Sequence, residues 1–299
     1  MNETFSSTVG TAADHAGPES GARTHTVTRD VLGPWSLATS RAFWEGFTPA
    51  ALRARAGDPV LRTVFRSEAD WSAVSAAVEQ DGAVARITVS GDGDLEVASA
   101  QVARFLSLDV DATGWPGVGE RDPVIGAVQR ELPGLRPCGF HSPYEAAAWC
   151  VLSQRLRIPL AAALRTRITE RHGDGGAFPA PARLRTLELD LPGRKTEYLH
   201  AVADAALEGV LDGHDLRGLT AESAVDRVRQ VKGLGPFAAE LVVLRGANHP
   251  DGFPRHEGRL DQVITERYGA DADRETLAEV WRPFRTWASV HLRASHGAG

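Results

Sequence analysis

The chain has 299 residues, 42% of them hydrophobic, and a formal net charge of −6 at pH 7. That length allows a full core in one large or two ordinary domains, and the acidic balance excludes a protein that coats nucleic acid indiscriminately, so any such contact must come from a local basic face. The two cysteines, Cys138 and Cys150, are too few for a four-thiolate iron–sulfur cluster and lack the clustered histidines of a zinc site, which leaves them as small buried side chains.

In chain order, residues 1–25 are rich in Ser, Thr, Gly, Ala and acids without an apolar core. They predict a disordered tail, neither signal peptide nor membrane anchor, on a cytoplasmic protein. From 26 to 112 the pattern is one of strands flanking helices: Val60–Phe65, Ser72–Val78 and Ala83–Val89 read as extended, with Asp81-Gly82 as a hairpin turn. Asp94 is placed to cap a helix to about Leu106, with Leu95, Val97, Val102, Phe105 and Leu106 as its buried stripe.

From about Asp122 onward the helical period dominates. Ser142-Pro143-Tyr144-Glu145 has the composition of a capping box with proline in the first turn. Further helices are expected at 122–132, 159–171, 194–208, 221–230, 236–247, 259–268 and 274–293, with a break at Ala177-Phe-Pro-Ala-Pro181. The fold class is therefore α+β: a small N-terminal antiparallel sheet domain over 26–112, followed by a larger all-helical domain over 113–299. Arg155, Arg157, Arg165, Arg167 and Arg171 stand against a single acid, Glu170, between Ser153 and His172; they form either a basic binding face or an ordinary solvated one.

The most informative stretch is Val231-Lys-Gly-Leu-Gly-Pro-Phe-Ala-Ala-Glu-Leu-Val-Val-Leu-Arg245, followed by Phe253-Pro-Arg-His-Glu-Gly258. Gly233, Leu234 and Gly235 make a tight hairpin between two helices, and Pro236 suits the first turn of the second. The N–H groups and positive dipole end of that helix would face whatever lies before Gly235, a position that suits a phosphate. Glu257 puts an acid close by.

With these segments, Gly33-Pro-Trp-Ser-Leu-Ala38, Phe43-Trp-Glu-Gly-Phe47, Gln101-Val-Ala-Arg-Phe-Leu-Ser-Leu-Asp109, Ser142-Pro-Tyr-Glu-Ala146, Leu152-Ser-Gln154 and Pro192-Gly-Arg-Lys-Thr-Glu-Tyr198 make the chain resemble the helix-hairpin-helix (HhH-GPD) DNA glycosylases, specifically the DNA-3-methyladenine glycosylase II branch. The resemblance takes in all but the first twenty-five or so residues. It implies a monomer that binds double-stranded DNA containing damaged bases, flips an alkylated purine into a pocket and hydrolyses its N-glycosidic bond, with no membrane contact, cofactor, metal or iron–sulfur cluster.

An alkylated purine leaves readily, so the demand on the enzyme is a negative charge where the oxocarbenium-like sugar develops and a group to align water. The family uses an aspartate, and the matching position here is Glu257. Glutamate has the same charge, but its extra methylene displaces the oxygens by roughly an ångström. Three readings of Glu257 stay open: a working variant, a chain that binds damage and cuts poorly, and a residue that caps the next helix. His256 is assigned no catalytic role. The superfamily's lyases carry a lysine at the start of the second hairpin helix, where this chain has Phe237, and its only lysines are Lys195 and Lys232; a monofunctional enzyme using water is expected.

For the base pocket the expected walls are Phe237, Leu241, Tyr144, Trp149 and Arg293, with Phe284 and Trp287 as further aromatics. Phe237 stands where the family has a tryptophan, Leu241 where a tyrosine is common and Arg293 in place of a second tryptophan, and an arginine would repel a cationic base. Gln154 and Arg155 match the wedge that fills the vacated stack; Arg155 either stacks on bases or contacts phosphate. The alternative function is a weakly active or non-catalytic damage-binding protein that retains the fold.

Overall fold

The computed structural model describes residues 22–46 and 58–296. Most of the tail expected over 1–25, and Phe47, lie outside the described residues. The first strand, β1 (Arg23–Asp30), starts inside the stretch assigned to the tail. It is an edge strand without a fully buried residue, and its Thr-His-Thr-Val-Thr alternation hides it among polar residues.

β1 is followed by α1 (Leu37–Gly46), β2 (Leu61–Arg66), β3 (Ala73–Asp81), β4 (Val84–Gly91) and α2 (Leu95–Phe105). The strands form one antiparallel sheet in the order β1-β4-β3-β2. Alternation directs Leu61 and Phe65 of β2, Val74 and Val78 of β3, and Ala85, Ile87 and Val89 of β4 to one face. α1 and α2 close that face with Trp44, Val102 and Phe105. Asp94 accepts from the N–H groups of Glu96 and Val97, the expected cap. Val97 is 40% exposed and falls off the expected stripe, and Ala98 is buried in its place.

The helical part comprises α3 (Trp115–Arg121), α4 (Pro123–Glu131), α5 (Pro143–Ser153), α6 (Ile158–His172), α7 (Pro181–Leu184), α8 (Lys195–Leu207), α9 (Gly213–Gly218), α10 (Ala221–Val228), α11 (Pro236–Leu241), a π-helical turn at Val242–Gly246, α12 (Gly258–Tyr268), α13 (Arg274–Val280) and α14 (Arg285–His296). It folds around two cores. α5 to α11 and the π turn share one, built on residues such as Val151, Leu199, Val228 and Val243. α3 and α4 pack instead against the C-terminal α12 to α14 through Trp115, Ile125, Leu260, Trp281 and Trp287. The chain thus leaves the second core and returns to it, and a seam runs between the two.

Three expected helices differ. The single helix over 274–293 is two, because Pro283 has no N–H for the helical ladder and its ring excludes the preceding turn. The helix over 236–247 is α-helical only to Leu241. The helix over 122–132 is preceded by α3, and the two share Asp122, which ends one and caps the other. The capping box at Ser142 is half formed. Ser142 accepts from the Glu145 N–H at 3.2 Å, but the Glu145 carboxylate turns inward to the Arg165 guanidinium at 2.8 Å. His141 Nδ1 stands 3.8 Å from the same carboxylate, beyond hydrogen-bond reach. No helix of the described residues is long and apolar enough to cross a membrane.

Candidate active site and glycine hairpin

The seam between the two helical cores holds a cavity of about 180 Å³. α11 and the π turn supply one wall through Phe237, Glu240, Leu241, Leu244 and Arg245; α14 supplies the other through Thr286, Ser289, Val290 and Arg293; Phe43, Pro254 and Glu257 close the remaining sides. A wider groove opens beside it toward the hairpin, lined by Trp149, Gln154, Gly235, Phe237 and again Glu257 and Arg293. Glu257 stands where cavity and groove meet.

On the hairpin side, Gly233 adopts φ +94°, and a Cβ there would stand 2.5 Å from the ring of Tyr198. Only glycine fits. Gly235 differs: its φ is −84°, which any residue adopts, and nothing lies within 4 Å of the Cβ it lacks. Sequence reasoning gave both glycines the same conformational role; Gly235 instead leaves open space at the N-terminus of α11, whose first N–H groups have no partner within the helix. Leu234 is buried and ties the hairpin to the core.

The hairpin is clasped from α5. Gln154 Nε2 donates to the Gly233 carbonyl at 2.8 Å, and the buried Lys195 ammonium donates to the carbonyls of Val151, Leu152 and Gln154 at 2.7, 3.1 and 2.8 Å. Arg155 is exposed between α5 and α6 with φ +56°, a left-handed conformation that costs a non-glycine residue about 1–3 kcal/mol. Of the arginines on and before α6, Arg155, Arg157, Arg167 and Arg171 are exposed, whereas Arg165 leaves the surface to meet Glu145.

On the acid side, Glu257 occupies the N-cap position of α12, yet its side chain makes no capping bond. It accepts from Arg293 Nε at 2.7 Å, with both side chains about a quarter exposed. Glu240 is 6% exposed and holds His256 twice, through its backbone N–H at 2.9 Å and Nδ1 at 2.7 Å. Burial pushes the Arg245 guanidinium below the ordinary arginine range, and it lies 5.3 Å from the Phe43 ring.

Among the expected walls, Phe237, Leu241 and Arg293 line both openings, and Trp149 reaches only the groove. Tyr144 does not take part: it is fully buried in the helical core with its hydroxyl donating to the Pro179 carbonyl at 2.8 Å. Phe284 and Trp287 are likewise core residues packed on Trp115. Sequence reasoning missed Phe43, Glu240 and Arg245. The last two carried a signal, since a charge inside the apolar run Ala238-Ala-Glu-Leu-Val-Val-Leu-Arg245 marks a buried helix with a polar task.

No protein-family model matches the chain. It is 24% identical over 204 residues to a DNA-3-methyladenine glycosylase of Bacillus subtilis, covering 63% of this chain and 67% of that protein. It is 28% identical over 188 residues to DNA-3-methyladenine glycosylase 2 of Escherichia coli, covering 58% of this chain and 64% of the relative. The 3-methyladenine DNA-glycosylase structure from Archaeoglobus fulgidus superposes with a TM-score of 0.70 at 19% identity, over 89% of this chain and 96% of that one, which shows a shared fold. With the glycine hairpin, the acid beyond it and the small sheet before it, these likenesses make the chain similar in sequence to DNA-3-methyladenine glycosylases and similar in fold to the Archaeoglobus enzyme.

Proposed function

We propose that this protein is a monofunctional base-excision glycosylase, working in the cytoplasm as a monomer on double-stranded DNA that carries alkylated purines. The observation that carries the reading is the position of Glu257 at the junction of cavity and hairpin-side groove. A duplex gripped at Gly233–Gly235 would present its sugar–phosphate backbone to that junction while a flipped base enters the cavity. Glu257 would then stabilise the sugar cation and align water. Arg155 fills the vacated stack, supported by the Gln154 and Lys195 bonds beneath it. Water is the nucleophile, because neither lysine offers a free amine at the site: Lys195 spends its donors on three carbonyls, and Lys232 is paired with Glu197.

A second reading, a damage binder with little turnover, draws on the Arg293–Glu257 bond, which sets a guanidinium against the carboxylate. Release of free 3-methyladenine from methylated duplex under single-turnover conditions separates the two. The glycosylase reading expects release by wild type and strong loss in Glu257→Gln; equally slow release by both would remove Glu257 from the chemistry and leave the binder.

A further inference from the structure

Glu240 is a buried carboxylate whose oxygens both serve one residue. Oε2 accepts from the backbone N–H of His256 and Oε1 from its Nδ1, at 2.9 and 2.7 Å. A carboxylate oxygen accepts, so the 2.7 Å bond places Nδ1 as the donor. Burying such a charge is costly unless it is hydrogen-bonded, and here the compensation comes from the residue immediately before Glu257.

The segment concerned otherwise has few anchors. Phe253 is fixed in the C-terminal core, Pro254 is buried beside it and Leu260 buries the first turn of α12; between them the Arg255 side chain pairs with Glu275 at the surface and its carbonyl accepts from Arg274 at 3.4 Å. His256 has its side chain half exposed, so packing does not hold it. Besides the Arg293 bond to Glu257 itself, the inward attachment at this point is the pair of bonds from His256 to Glu240, which springs from the hairpin's own helix one turn after Phe237 and shares the cavity wall. Hairpin and acid are tied through it.

We propose that Glu240 is a positioning residue: by clamping His256 to α11, it sets where the Glu257 carboxylate stands relative to the DNA grip. The clamp acts on the reaction only if Glu257 does, so the inference rests on the function proposed above. An ångström of misplacement at a reacting group costs on the order of a hundredfold in rate, which sets the expected size of the effect.

The test compares full-length wild type, Glu240→Ala, Glu240→Gln and His256→Ala in single-turnover release from methylated duplex, in duplex Kd and in backbone amide exchange at His256. Glu240→Ala is expected to lose about 10- to 100-fold in release with Kd within about twofold, and to speed exchange at His256. Glu240→Gln, which keeps volume and one acceptor, falls in between and carries the test if Glu240→Ala does not fold. His256→Ala, which keeps the backbone N–H, stays nearest wild type. Unchanged release and exchange in Glu240→Ala and Glu240→Gln would overturn the clamp, as would parallel loss of release, affinity and melting temperature. Faster exchange in a chain whose wild type releases no base would keep the bonds, overturn their role in catalysis and take the reading of Glu257 with it.

Discussion

The stretch from Gly233 to Glu257 carries different kinds of chemistry at its start and along its wall. At the start the groups that matter are backbone: a glycine held at φ +94° against Tyr198, a carbonyl held by Gln154, and the first N–H groups of α11. Along the wall they are side chains, and each takes its partner from a distant segment, Glu240 from His256 and Glu257 from Arg293. A grip made of main chain, as proposed for the hairpin, would accept any phosphate and need little beyond the right turn. A site made of paired charges depends on every partner, and a single exchange of residue alters what it accepts.

That contrast can be broken in four places. The largest effect is expected from Glu257→Gln, which should lower single-turnover base release by about a hundredfold or more while duplex affinity stays put; an equal loss of both would mean that the acid belongs to the grip. Gly233→Ala should weaken duplex binding by about tenfold or more and lower the melting temperature, since strain of this kind costs about 1–3 kcal/mol. Gly235→Ala should lower affinity alone, because its Cβ meets nothing inside the protein; a matching fall in melting temperature would refute the assignment of that space to DNA. Arg293→Ala should raise the preference for cationic over neutral damaged bases, roughly tenfold or about 1.4 kcal/mol, in competition assays. A uniform fall across all bases would show that Arg293 aims Glu257 and does not screen the base.

A separate test, read in stability and not in release or affinity, lies away from both regions at Glu145. Burial would raise its pKa, but the neighbouring His141 imidazole and Arg165 guanidinium outweigh burial and bring it down from 4.5 to about 2. A carboxyl with a depressed folded pKa contributes stability above its unfolded value, and that contribution is lost as pH falls from about 4.5 toward 2. Denaturation midpoints should drop across that window in wild type and vary less in Glu145→Gln. Equal slopes would remove Glu145 from the acid response.

The difference between the two regions also explains what was legible in the sequence. Strands β2 to β4, the Asp94 cap and the hairpin follow from local patterns, namely alternation, a capping aspartate and Gly-Leu-Gly-Pro, and each was readable within a dozen residues. β1 was hidden because its outward residues are polar and little of it is buried. Pro283 marks the break in the last helix, although the apolar period runs through it. The capping box failed because Arg165, twenty residues on, competes for Glu145. Arg293 with Glu257 and Glu240 with His256 are separated by 36 and 16 residues, and no local pattern links them. Tyr144 was misjudged for the same reason, since an aromatic on a buried helix and one on a pocket wall look alike until the fold chooses.

The π turn at Val242–Gly246 has a consequence of its own. Its wide loop, closed by the Ala247 N–H on the Val242 carbonyl, frees the carbonyl of Arg245 to accept from Phe140 at 2.9 Å. Gly139 lies so close that a Cβ would meet that carbonyl at 2.2 Å. A π turn holds one residue more than an α turn, so its extra residue is taken up within a single turn and the chain beyond keeps its helical phase. What the extra residue supplies is therefore an outward-facing carbonyl: shortening the turn by one would draw that carbonyl back into the helical ladder and leave the Phe140 N–H without its acceptor.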